Sequence, residues 1–264
     1  MRVLLLGATG NLGTRVIPAL LAHRHILFIY VRNIPKLRTL IPPSILSNAT
    51  IIQGDATDSD GIKKALLENE CDAIVDCAGN QVLPWKEYLL PKIVRAVADA
   101  AIEVGKERGG KPLRAWFIGG IGSLGYPGSG GRLIEDYIPR LAGAQHRATF
   151  EVLESISSDD LKWSLLCVSI MKPESPQIKP LSSPRNHNLL IGTDMPPGWQ
   201  DHWVRYIPFI GAILNLGVEV IRGYKAYYED VADFMAEDLE SESMPLVGQR
   251  VGYKDKRKIK SHVE

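Results

Sequence analysis

Three glycines, Gly7, Gly10 and Gly13, stand three residues apart in the stretch LLLGATGNLG, directly after a short apolar run. A glycine turn between a strand and a helix lets the chain reverse tightly, lets backbone approach a pyrophosphate, and lets the helix pack closely on the strand. The helix that follows offers free N–H groups and a partial positive charge to phosphate. These residue types therefore point to a dinucleotide cradle formed by Gly7, Thr9, Gly10, Asn11, Leu12 and Gly13. A P-loop is excluded, because no Gly-Lys-Ser/Thr follows. The next apolar run ends IYVRN. An acid at that point would match a ribose 2′-hydroxyl, whereas an arginine matches a 2′-phosphate. Arg32 stands there without an acid, and its planar, permanently charged guanidinium predicts NADP(H).

The cradle needs elements to position it. Residues 2–6 (RVLLL) and 25–31 (HILFIYV) read as buried strands, with apolar residues at helical spacing over 14–23 between them. Strand, glycine turn, helix and strand make a right-handed βαβ unit. Further strands are expected at 50–53, 73–76, 114–118 and 163–168, alternating with helices at 59–69, about 85–106 and about 146–157. This alternation predicts an α/β fold with a doubly wound parallel sheet of the Rossmann type. Beyond Pro173 the chain turns rich in proline and polar residues, as in a segment covering a site. Residues 207–220 are apolar but too short for a bilayer span, and are expected to form a buried or pocket-lining helix rather than a membrane-surface one, because the basic face of an interfacial helix is missing. Residues 228–239 read as an amphipathic closing helix. The expected organisation is a nucleotide-binding core over 1–172, a substrate-covering segment with the closing helix over 173–253, and a flexible basic tail over 254–264.

GATGNLG, in this context, resembles the TGxxGxxG fingerprint of the short-chain dehydrogenase/reductase superfamily, particularly its atypical branch with NmrA-like and isoflavone-reductase-like proteins. VRN at 31–33 is also common in NmrA-like relatives. GDATD at 54–58 resembles a stretch that, in the superfamily, places Asp55 and Ala56 near the adenine. CAGN at 77–80 resembles the turn after the fourth strand, where Cys77, Ala78 and Gly79 would let the cofactor ribose approach. The resemblance implies an NADP-dependent oxidoreductase.

In the superfamily a Ser or Thr beyond the fifth strand orients the substrate carbonyl, and the Tyr and Lys of a YxxxK motif supply the proton. Ser123, in IGGIGSLGYPG, falls at the serine position. No YxxxK lies downstream of it: Tyr137 is followed by IPRL, and alignment by the following helix places Gly143 and Arg147 where Tyr and Lys should stand. An arginine cannot act as the base but can hold a cofactor ribose. Candidate proton donors are Tyr137, Tyr126 and His146, the last because an imidazole needs little tuning near neutrality. Residues 195–206 bring Trp199, His202, Trp203 and Tyr206 close in sequence, either as an aromatic substrate wall or as the core of a small C-terminal lobe. The function implied is reduction of a carbonyl or activated double bond in an aromatic or polyketide-like small molecule. A non-catalytic NmrA-like NADP(H) sensor, or an isomerase or cyclase without net redox, remain alternatives on the same fold.

Composition adds exclusions. With 31 Lys+Arg against 30 Asp+Glu the formal charge is +1, so nothing global draws the chain to nucleic acid. The three cysteines, Cys71, Cys77 and Cys167, have neither disulfide nor zinc spacing. With no leader pattern at the start, a reducing cytoplasmic setting is expected. The partner is expected to be an apolar small molecule, with no membrane span, and a homodimer is left open.

Overall fold

A computed structural model describes residues 1–79, 88–138 and 140–258, excluding the side chains of 140–143 and 258. The chain runs β1 (Arg2–Leu6), α1 (Gly13–Ala22), β2 (Ile26–Val31), α2 (Ile34–Leu40), α3 (Pro43–Leu46), β3 (Ala49–Gln53), α4 (Ser59–Glu68), β4 (Ala73–Asp76), α5 (Leu89–Glu107) and β5 (Arg114–Gly120). It continues through α6 (Arg140–Glu154), β6 (Lys162–Val168), β7 (Ile170–Lys172), β8 (Leu189–Thr193), α7 (Gly211–Arg222), β9 (Lys225–Tyr227), α8 (Tyr228–Asp238) and β10 (Gln249–Asp255). Residues 80–87, which hold Asn80 and the expected start of the long helix, lie outside the described residues, as do 259–264 of the tail.

Eight strands form one sheet in the order β3-β2-β1-β4-β5-β6-β10-β8, with β8 alone antiparallel, and β7 and β9 make a separate parallel pair. The order 3-2-1-4-5-6 is that of a doubly wound Rossmann sheet, reversing direction between β1 and β4. Alternation along β1 fills both faces. Leu4 and Leu6 point to the side covered by α4, α5 and α6, whereas Val3 and Leu5 point to the side covered by α1 and α8. Such two-sided burial is why the strands read as continuous apolar runs.

Two expectations about the C-terminal part change. Helix α7 is neither buried nor pocket-lining along its whole girth: Asn215, Leu216 and Glu219 face inward, but Ile213, Leu214 and Ile221 are exposed. Apolar composition predicted burial on all sides, yet only one side of this helix has the rest of the fold to pack on. The basic stretch from residue 254, expected to be flexible, begins inside β10, where Lys254 and Asp255 are 5% and 2% exposed. Their charges are tolerated because Lys254 Nζ lies 3.3 Å from Glu219 and Asp255 pairs with Arg257 at 2.8 Å.

Candidate cofactor and catalytic site

A crevice of about 520 Å³ opens where the sheet reverses, past the C-terminal ends of β1 and β4. This is where ligands bind in open α/β sheets. Its floor is the glycine turn: the Gly10 N–H donates to the Gly7 carbonyl at 2.9 Å, and the Thr14 N–H to the Gly10 carbonyl at 3.0 Å. Gly7 has φ +73°, and a Cβ there would overlap the Cys77 carbonyl carbon and the Ala78 nitrogen. At Gly13 a Cβ would overlap the Gly7 carbonyl, so α1 can start against the turn only with glycine.

Of the residues expected at the cofactor, Gly7, Thr9, Gly10, Arg32, Asp55, Ala56, Cys77, Ala78 and Gly79 line this one crevice. Asn11, Leu12 and Gly13 do not. Leu12 packs into the core with α1, and the Asn11 carbonyl accepts from the Thr14 hydroxyl at 3.0 Å. Arg32 is 83% exposed along its side chain, with Nη1 3.6 Å from Asp55 Oδ2. Asp55 is itself engaged, accepting from the Thr57 N–H at 2.9 Å and the Thr57 hydroxyl at 2.7 Å. Those two bonds, with Arg32 nearby, hold its carboxyl below the usual range.

Sequence reasoning missed Lys36. Asn33 accepts from the Lys36 N–H at 2.8 Å, capping α2, and Lys36 joins Arg32 on the crevice wall. No sequence signal marked it, because Arg32 precedes the Asn33 cap and helical spacing does not relate the two cations. Beneath the turn Asp76 is 1% exposed; its Oδ1 accepts from the Ala78 N–H at 2.9 Å and its Oδ2 has no partner. Burial pushes this carboxyl up to about 7.

The catalytic candidates sit on three elements that pack together: a 3₁₀ turn at Ile121–Ser123, a second at Ile134–Tyr137, and α6. None of the three lines the cofactor crevice among the described residues. Ser123 is fully buried with its hydroxyl unpartnered, and its carbonyl accepts from Arg250 at 2.9 Å. His146 lies against Gly120, close enough that a Cβ there would crowd the ring. Its Nδ1 has no partner, and burial lowers its pKa, so the ring is neutral near pH 7. Tyr137 packs against Tyr126 with centroids 4.5 Å apart and the rings tilted by 40°. The Tyr126 hydroxyl donates to the Ala212 carbonyl at 3.2 Å, and burial pushes its pKa up. Arg147 engages Glu135 and Asp136, each at 2.9 Å, in a separate recess of about 500 Å³.

The aromatic segment divides. Trp199 packs between Tyr126 and Tyr224, centroids 5.2 and 6.1 Å away, as part of the lobe's interior. His202 sits 2.7 Å from Glu219. Trp203 and Tyr206 are each 77% exposed.

Sheet order, glycine turn and crevice together define a dinucleotide-binding Rossmann protein. An NAD(P)H-binding family profile matches residues 7–182, and the chain belongs to that family. Among solved structures, a short-chain dehydrogenase/reductase from Veillonella parvula in complex with NADP is 14% identical over 96% of this chain and 93% of that chain, with TM-score 0.61. An anaerobillin reductase from Escherichia coli is 14% identical over 96% of this chain and 97% of that chain, with TM-score 0.60. A protein from Lactobacillus casei aligns over 97% and 99% at 16% identity, with TM-score 0.65. At these identities the likeness is one of fold. No curated protein matches the chain. Among the described residues no helix is long and apolar enough to cross a membrane.

Proposed function

We propose that this chain binds NADPH in preference to NADH and reduces a carbonyl or an activated carbon–carbon double bond of an apolar, aromatic or polyketide-like small molecule. The observation that carries the cofactor choice is the pair of cations, Arg32 and Lys36, on the crevice wall after β2, where the one acid lining it among the described residues, Asp55, is held by Thr57. The site fits the cofactor because glycine at 7 and 13 lets the turn close against residues 77–78 and against α1, which leaves the backbone of Gly7 and Gly10 as the floor of the crevice. In this reading the backbone around Gly7 and Gly10 faces the pyrophosphate, Arg32 and Lys36 take the 2′-phosphate, and Asp55 and Ala56 flank the adenine. Cys77, Ala78 and Gly79 let the ribose approach. When bound, the reduced cofactor supplies hydride.

The protein's own part in the chemistry is to orient an oxygen and deliver a proton. Ser123 is assigned the first task. Tyr137 and His146 share candidacy for the second, since the Tyr126 hydroxyl is committed to the Ala212 carbonyl. A non-catalytic NADP(H) sensor is the second reading, favoured by the complete burial of Ser123.

Fluorescence titration of the parent and of Arg32→Ala/Lys36→Ala tests the cofactor reading. NADPH affinity is expected to fall about 100-fold, at roughly tenfold for each charge-assisted contact, with NADH little changed. An NADPH preference that survives the double substitution overturns it. Turnover across quinones, ketones and aldehydes then separates the two readings: a protein that binds NADPH and oxidises it with none of them is a sensor.

A further inference from the structure

The lobe that packs Trp199 inward turns an apolar face outward. On the 3₁₀ turn Trp203–Tyr206, Trp203 and Tyr206 are each 77% exposed, and Phe209 just beyond is 104% exposed. Phe209 also has φ +65°, a left-handed backbone that a phenylalanine rarely adopts, so a local cost is accepted to hold its ring in solvent. Along α7, Ile213, Leu214 and Ile221 continue the face at helical spacing. Contiguous exposed apolar surface of this kind marks an interaction site.

Charge tells what the face meets. From Val204 to Lys225 the one carboxylate is Glu219, which is 2% exposed and tied to His202 and Lys254. Asp201 at the edge is neutralised by Arg205. Arg222 ends α7 and is exposed. The turn after it brings Gly223 against the Lys254 side chain, so the basic run starting at Lys256 leaves β10 beside the same end of the helix. Arg257 is engaged by Asp230 and Asp255, but Lys256 is exposed with no carboxylate partner among the described residues. The face is thus apolar and aromatic, with a rim of cations and no free acid. A second copy apposed through this face would bring like-charged rims together, whereas an anionic lipid surface meets both the rings and the cations.

We propose that this face docks on membranes carrying anionic lipid, with Trp203, Tyr206 and Phe209 at the boundary between headgroups and acyl chains and Arg222 and Lys256 toward the phosphates. The docking is peripheral and independent of the cofactor reading. It places the chain where apolar small molecules concentrate.

Co-sedimentation of the full chain with phosphatidylcholine vesicles, with and without phosphatidylserine, tests it. The parent is expected to bind the phosphatidylserine vesicles more tightly, and less so as salt rises. Trp203→Ser/Phe209→Ser should lower that binding about tenfold or more while thermal unfolding and NADPH titration stay as in the parent, because both side chains lie outside the core. Arg222→Glu/Lys256→Glu should remove the preference for phosphatidylserine. A parent that binds neither vesicle, or a Trp203→Ser/Phe209→Ser variant that binds as the parent does, overturns the proposal. So does a parent dimer in solution that the same variant dissociates, since the face would then join two copies.

Discussion

Asp76 shows how a single carboxyl can make stability depend on pH. It ends β4 under the glycine turn, 1% exposed, with one oxygen bonded to the Ala78 N–H and the other unpartnered. Its ordinary value is 3.8, and burial raises it to about 7 in the folded chain. Between those values the folded state keeps a proton that the unfolded state has released, so stability falls as pH rises from about 4 to about 7 and stays low above that. Asp76→Asn keeps the shape and cannot ionise. Urea denaturation at pH 5 and pH 8 should show the variant gaining on the parent at the higher pH. A gap that stays constant would mean that Asp76 is already ionised in the folded chain at pH 5. At this scale much of the candidate crevice was legible in the sequence, because Gly7, Gly10 and Arg32, which line it, stand out by their own residue type and place after a strand. Lys36 was missed because a lysine in a polar stretch carries no sign of which way it faces until α2 is drawn.

At the scale of elements, α8 is fastened to the sheet by a buried charge. Arg114 of β5 donates to Asp238 of α8 at 2.6 Å, the Trp116 indole N–H donates to the same oxygen at 3.0 Å, and Arg114 also bonds to the Ser164 hydroxyl at 2.9 Å. The Arg114 and Asp238 side chains are 2% and 4% exposed. Removing the acid leaves a buried guanidinium without its counter-ion, which costs about 3–5 kcal/mol. Asp238→Ala is expected to lower the unfolding free energy by that amount in urea titration. A loss under about 1 kcal/mol would mean that water reaches Arg114 once α8 loosens. The sequence could not announce this pair, since its members stand 124 positions apart. Strands β1, β2, β4, β5 and β6 were readable for the opposite reason, that each buries a largely apolar run, whereas β3 at the sheet edge was readable from Ile51 and Ile52 though only half-buried. α2 and α3 were not, because Pro35, Pro42 and Pro43 break the pattern over such short elements. β10 escaped notice because Arg250, Lys254 and Asp255 make it look like a solvated stretch, and the partners of Arg250 and Lys254, Asp194 and Glu219, lie far along the chain.

At the scale of the whole molecule, β10 lies between β6 and β8 and is the sole sheet partner of β8 among the described residues. A chain ending at Val247 would lose β10, strand β8 its only neighbour, and α7 its tie through Lys254. It is expected to be recovered insoluble, whereas a chain ending at Lys258 should keep the parent's solubility and far-UV circular dichroism. Equal soluble yields would show that the first six strands suffice. The placement of β10 also sets an order of events during synthesis. The strands β1 to β6 can pair as they emerge, but the edge of β6 stays open until residues 249–255, more than 80 positions later, have been made. Through that interval the nascent chain carries an unpaired parallel edge, a template for aggregation, so its yield in cells should depend on how quickly the last 20 or so residues follow.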